Sequence, residues 1–269
     1  MVDVGKVQYR KLERGIEARC PRLPAERVLA IRMAVACTGV SELEQCTAIR
    51  FPEEQKDKFE AALKHPLPDP PLPVQIPLYY DFNSPYGYAA TVIAPRLEQA
   101  YQVRFDWRGF ELFPEWRSFP SRSPEEVRKG FEAAKAVGEP LGLPFATERP
   151  PFMRTRLLHL ACEYARLAGR FHLFNQALFR ALWGQRRDLT DFNNVKQVAY
   201  EVGLDALALE DAVLSGRLDG LLSEHRRTAE KSGVFGVPTF IVGGQRVWGR
   251  EPYDDLVEAF SQAGIPKRA

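Results

Sequence analysis

The chain has 269 residues, 45% of them apolar, and a formal net charge of +2. That composition supports a buried core and excludes global disorder, and the near-neutral charge offers no long-range attraction for nucleic acid or an acidic membrane. No apolar run approaches the ~20 residues that span a bilayer, and Met1–Lys6 lacks the basic start and apolar stretch of a secretory leader. A soluble, cytoplasmic protein is expected.

Residues 1–65 read as a short helical segment. Pro24–Ala36 carries Val28, Leu29, Ile31 and Val35 between Arg27 and Arg32. Ser41 and Glu44 form a capping box, and Pro52-Glu-Glu opens another helix that Lys64-His65 closes. Thr38-Gly-Val-Ser41 has the form of a helix-turn-helix turn. Glu42 and Glu44 on the following helix would repel phosphates, so a packing or dimerising helical cap is expected rather than a DNA reader. Cys20, Cys37 and Cys46 fall here, and Cys162 lies elsewhere. None forms a Cys-x-x-Cys pair, and the spacing matches no usual zinc pattern. Small buried thiols are expected, with a disulfide or metal site among the first three as the alternative.

Pro66-Leu-Pro-Asp-Pro-Pro-Leu-Pro73 cannot be helical and lacks donors for a sheet, so 66–73 is an extended linker. Val74–Tyr80 then suits a buried strand. Pro85 opens a helix with apolar Tyr86, Ala89, Ala90, Ile93 and Leu97. Val103, Phe105 and Trp107 alternate with charged residues as a second strand.

Residues 118–231 read as an almost wholly helical block. Ser123-Pro-Glu-Glu126 is a capping box, Leu157, Leu158, Ala161, Cys162 and Ala165 form an apolar stripe, and Thr190-Asp191 caps a further helix. Leu218–Lys231 is the last long helix of the block. His159, His172 and His225 lie among helical neighbours and read as structural or solvated. Thr239–Val242, Gly243-Gly244 and Gln245–Trp248 form a hairpin, because two glycines accept the positive φ of a tight turn. Pro252–Gln262 closes the chain as an amphipathic helix.

Three pieces carry the chemistry. In Tyr80–Gly87 a strand ends and a helix begins at Ser84-Pro85. Ser84 is placed as an N-cap, where its hydroxyl and free backbone N–H groups would favour an anion such as a thiolate. A capping serine before proline has a purely structural use as well. In Gly233–Phe240, Val237-Pro238 precedes a strand, where a cis proline would expose the Val237 backbone to a peptide; an ordinary strand-start proline is the alternative. In Trp248-Gly-Arg-Glu-Pro252, charge and a helix start meet, and a plain helix start is again the alternative.

These pieces resemble the DsbA-like thioredoxin superfamily over residues 74–262, and within it the branch of 2-hydroxychromene-2-carboxylate isomerases and kappa-class glutathione transferases. The carrying motifs are Asp81-Phe-Asn-Ser-Pro-Tyr-Gly-Tyr88, Ala181-Leu-Trp-Gly184, Phe235-Gly-Val-Pro-Thr239 and Val247-Trp-Gly249. The resemblance implies an α/β thioredoxin fold, residues 74–117 and 232–269, split by a helical insertion over 118–231. It implies that Ser84 and Gly87 stand where oxidoreductase relatives carry the two cysteines. Without that thiol pair, disulfide exchange at this site is excluded.

By the same resemblance Ser84 would be the catalytic residue, bonding the thiol of glutathione. Asn83, Pro85, Tyr86, Val237, Pro238, Arg250 and Glu251 would bind that cofactor, with Val237 pairing its backbone and residues 250 and 251 holding its γ-glutamyl end. Tyr88 and Trp183 would line the substrate half, and no metal is expected. The chain departs from its relatives in having Arg250-Glu251-Pro252 after Trp-Gly, and Gly87 where close relatives often carry serine. Glu251 can replace an aspartate as acceptor, while Arg250 would either pair with a carboxylate or block the pocket.

The leading expectation is a glutathione-dependent isomerase or transferase acting on a small unsaturated organic molecule. The alternatives are a non-catalytic binding module, or an oxidoreductase that uses Cys20, Cys37, Cys46 or Cys162. A homodimer is compatible with each.

Overall fold

The central strand β1 (Val74–Tyr80) alternates its side chains between two layers, as the period of a strand requires. Ile76, Leu78 and Tyr80 enter the main core, while Tyr79 turns to the opposite face with Phe110, Ala229, Val234 and Val237. The computed structural model describes residues 72–115, 120–249 and 252–268. The expected N-terminal helices, their three cysteines and most of the proline linker lie outside those residues. Backbone contacts divide the chain into Met1–Pro70 and Pro71–Ala269, and the description below concerns the second unit.

β1 pairs in parallel with β2 (Val103–Gly109), from Val74 opposite Val103 to Tyr80 opposite Gly109. On its other side it pairs antiparallel with β3 (Thr239–Val242), which pairs with β4 (Gln245–Trp248) to give the order β2-β1-β3-β4. Gly243 and Gly244 make the β3–β4 turn with φ of 55° and 83°, a region other residues enter only at a cost.

Helix α1 (Pro85–Ala100) crosses from β1 to β2 and buries Tyr88, Ala89, Ile93 and Leu97. Pro85 is favourable at its first turn, since the missing N–H there has no intrahelical partner. The final helix α8 (Pro252–Gln262) packs on the sheet near β4.

The helices between β2 and β3 begin with α2 (Pro124–Gly138), whose Ser123–Glu126 capping box is formed in both directions. Then come α3 (Arg156–Leu167), α4 (Phe171–Phe179), α5 (Phe192–Glu201), α6 (Ala206–Leu214) and α7 (Asp219–Lys231). Asp191 and Asp205 cap α5 and α6 through their carboxylates.

Two expectations for this block need correction. Residues 142–155 are not helical, because Gly142 takes a φ of 83° and Pro144, Pro150 and Pro151 cannot continue a helix. Leu157 is exposed, so the buried stripe of α3 is Leu158, Ala161, Cys162 and Ala165.

Phe179 joins the two halves, packing on Phe82 at 4.6 Å and stacking on Tyr88 at 5.9 Å between ring centres. Burying such a ring is worth about 2–3 kcal/mol. Among the described residues no helix is long and apolar enough to cross a membrane.

Candidate active site

β1 ends at Tyr80, and the chain turns through Asp81–Ser84 before α1 begins. Asp81 organises that turn. Its carboxylate is fully buried and accepts the Asn83 N–H at 2.9 Å and the Leu112 N–H from the segment after β2. Burial pushes its pKa up to about 7, while the two backbone donors oppose that rise. Asn83 then reaches across to the loop before α3. Its Nδ2 donates to the Met153 carbonyl at 2.7 Å, and its Oδ1 accepts the Met153 N–H at 3.0 Å.

Ser84 precedes α1 in an extended conformation but makes no side-chain cap bond. Its hydroxyl donates instead to the Val237 carbonyl at 3.1 Å, across 153 residues of sequence. The Val237–Pro238 peptide bond is cis. The expected set of free N–H groups at this helix entrance is also thinner than anticipated. Pro85 has none, the Ser84 N–H is bonded to the Asp81 carbonyl, and the Gly87 N–H to the Ser84 carbonyl.

Around Ser84 opens a cavity of about 420 Å³, within the ordinary range for small-molecule sites. Asn83, Ser84, Pro85, Tyr86 and Val237 line it. Leu112, Phe113, Val127, Phe131, Phe152, Trp248 and Gly249 add mainly apolar wall, and Arg122 and Arg149 add charge. The described lining contains no carboxylate, imidazole or thiol.

Two expected substrate-lining residues are elsewhere. Tyr88 is buried against Phe179, because a step of two residues along a helix turns a side chain about 200°, away from Tyr86. Trp183 is also buried, and its Nε1 donates to the Phe82 carbonyl at 2.9 Å. The wide π-type turn Arg180–Gly184 carries that indole, which supports the site from behind. Pro238 follows the lining residue Val237 without itself lining the cavity. Arg250 and Glu251 lie outside the described residues.

Arg122, Arg149, Phe113, Phe131 and Phe152 were not anticipated at the site. The one local signal was Arg149 in Thr147-Glu-Arg-Pro-Pro151, a charged residue in a proline-rich connection between helices, where binding residues are often placed.

The DSBA-like thioredoxin domain family matches residues 75–261. The chain belongs to this family. This DSBA-like chain is 30% identical over 188 residues to 2-hydroxychromene-2-carboxylate isomerase of Sphingobium xenophagum, spanning 67% of this chain and 95% of that one. Among solved structures it is similar to a probable DsbA oxidoreductase from Streptomyces coelicolor, at 23% identity and a TM-score of 0.64 over 71% of this chain and 89% of that one. It is also similar to the cytosolic disulfide reductase DsbM of Pseudomonas aeruginosa, solved with GSH, at 15% identity and a TM-score of 0.52 over 70% of this chain and 100% of that one. Likeness at these identities establishes the thioredoxin-like DsbA fold, as the motifs implied.

Among the described residues, the cysteine of this DSBA-like domain is Cys162, fully buried, and burial pushes its thiol far above the ordinary range. It is not placed to act as a thiolate nucleophile.

Proposed function

We propose that the protein is a glutathione-dependent isomerase or transferase acting on a small unsaturated organic molecule. The carrying observation is a serine hydroxyl bonded to the Val237 carbonyl at a cavity whose described walls carry no thiol of their own. A thiol brought by a cosubstrate supplies what the walls lack. The isomerase named among the relatives and the GSH-bound DsbM structure support that choice.

In this reading the Ser84 hydroxyl turns from Val237 to donate to the glutathione sulfur, lowering a thiol pKa of ~8.5 towards neutrality. Val237 pairs with the glutathione backbone, and Glu251 and Arg250 hold its γ-glutamyl end. The thiolate adds to a conjugated double bond: a C–S bond forms, and the displaced electron pair is taken up by the conjugated acceptor, which gains a proton. Rotation about the new single bond, then loss of that proton and of the thiolate, gives isomerisation. Retention of the C–S bond gives transfer. Reduced glutathione is a cytoplasmic reagent, so the reading places the protein there.

Calorimetry with glutathione on the wild type and Ser84→Ala, combined with ultraviolet thiolate absorbance, tests the proposal. Wild type should bind glutathione, and Ser84→Ala should lower the thiolate-to-thiol ratio of the bound sulfur about tenfold, one pKa unit. No glutathione binding to either protein would end the reading.

A non-catalytic binding module is the second reading. Phe235 and Trp248 favour it, being 61% and 50% exposed and packed edge to face at 4.8 Å beside the Val237 segment. Turnover of any glutathione conjugation substrate would exclude it.

A further inference from the structure

The apolar stripe of α2 has a gap where it meets the cavity. Val127, Phe131 and Ala134 recur at helical spacing on the inward side, while Arg128, Lys129 and Glu132 are exposed. That spacing calls for a further apolar side chain between Val127 and Ala134, one turn from each. The residue there is Gly130, and it lines the cavity together with Val127 and Phe131.

Glycine in the middle of a helix is less favourable than any residue except proline, so its presence needs a reason. Close packing supplies that reason elsewhere in the chain. A Cβ on Gly138, at the end of the same helix, would run into the Phe145 ring, and one on Gly109 would lie 2.6 Å from Nδ1 of His159. Gly130 has no such neighbour. Apart from α2's own backbone and the adjoining residues, nothing described lies within 4 Å of the place its Cβ would take. Its backbone is ordinary α-helix, so no positive φ demands glycine either. The missing side chain relieves no clash. Its effect is to leave room on the cavity side of α2.

We infer that Gly130 is a specificity-determining residue of this cavity: the space it leaves against α2 receives the apolar body of the ligand, and the bulk at position 130 sets how large a body enters. The inference deepens the proposed function by placing the body of the second substrate against α2. It rests on that reading for the word substrate, and on α2 and the cavity alone for the binding.

Two measurements without glutathione test it. The first is the urea midpoint of Gly130→Ala, which should rise above wild type, since alanine is the better helix former and meets nothing. A midpoint below wild type would show that packing requires the glycine and would overturn the inference. The second is fluorescence titration with anilinonaphthalene sulfonate, a broad apolar probe. Wild type should bind it, and Gly130→Leu should bind it about tenfold or more weakly, the scale on which a few added carbons exclude a ligand from a fitted pocket. Absence of binding to wild type overturns the inference, as does binding that survives Gly130→Leu. Should Gly130→Leu fail to fold, Gly130→Ala decides in its place, with an expected loss of about threefold.

Calorimetry with S-methylglutathione and S-hexylglutathione carries the test to the proposed reaction. Wild type should prefer the hexyl derivative about tenfold or more, because its longer arm buries more apolar surface. Gly130→Leu should hold the methyl derivative within about twofold of wild type and lose most of the preference. A preference that survives Gly130→Leu overturns the inference, as does an equal loss of both ligands. If neither derivative binds wild type, the proposed function fails, while the midpoint and the fluorescent probe still decide the role of Gly130.

Discussion

Asn83 and Met153 exchange hydrogen bonds in both directions, the side-chain amide of one serving the backbone N–H and carbonyl of the other. This pair fastens the loop before α3 to the turn that presents Ser84. Asn83→Ala removes both bonds and leaves two buried backbone groups unpaired, so it should cost about 3 kcal/mol in urea unfolding. Limited proteolysis should cut 142–155 faster in the variant. A loss below about 0.5 kcal/mol would show that the loop is held by other contacts.

Gly87 sits in close approach to its neighbours. A Cβ there would lie 3.0 Å from Cζ of Phe179 and 3.1 Å from the Asp81 carbonyl oxygen. Gly87→Ser gains helix propensity but overpacks against a backbone atom fixed by the buried turn, and should be destabilising by about 1 kcal/mol. Combined with Phe179→Leu, the cost of the pair should fall at least about 0.5 kcal/mol below the sum of the single costs. Strict additivity in thermal or urea unfolding would contradict the contact.

Asp81 titrates near 7 in the folded chain because burial disfavours its charge. Between the ordinary carboxylate value and about 7 the folded state holds a proton that the unfolded state has released. Stability contributed by this group therefore falls as pH rises through that window, by on the order of a few kcal/mol. Asp81→Asn should remove the slope. The stability of the variant relative to wild type should rise from pH ~4 to ~7 and then level, whatever its constant offset. A flat difference across urea midpoints in that range would refute the assignment.

His159 works in the opposite sense. It is buried between Tyr80 and Phe82 at 5.1 and 5.3 Å between ring centres, and neither ring nitrogen has a protein hydrogen-bond partner among the described residues. Burial and, to a lesser degree, the His225 charge lower its pKa to about 3. Below about 6.5 the unfolded imidazole takes up a proton that the folded one refuses, so acid destabilises the fold through this residue. His159→Phe fits the aromatic cluster and should gain about 2 kcal/mol relative to wild type between pH 7.5 and pH 5. No relative gain on acidification would show that His159 is protonated in the folded state.

What the amino-acid sequence determined by itself was local. Alternation placed Val103, Phe105 and Trp107 on one face of β2, Ser123 and Asp191 announced helix starts, and Gly243-Gly244 announced the hairpin. The order of the motifs around Ser84 and Val237 pointed to the family and to a part of the cavity wall. Each of these signals rests on interactions within a few residues, which a periodic or capping pattern records directly.

Tertiary structure alone decided the rest. Whether Tyr86 or Tyr88 faces the cavity depends on which side of α1 the helical block covers. Whether the Ser84 hydroxyl caps its helix or bonds the Val237 carbonyl depends on a loop 153 residues away. Arg149 reaches the site on a loop without period, held by Asn83 and by the rings of Phe152 and Trp183. Such choices are made by burial and by pairing between distant segments, and a linear pattern carries no record of which distant surface will arrive.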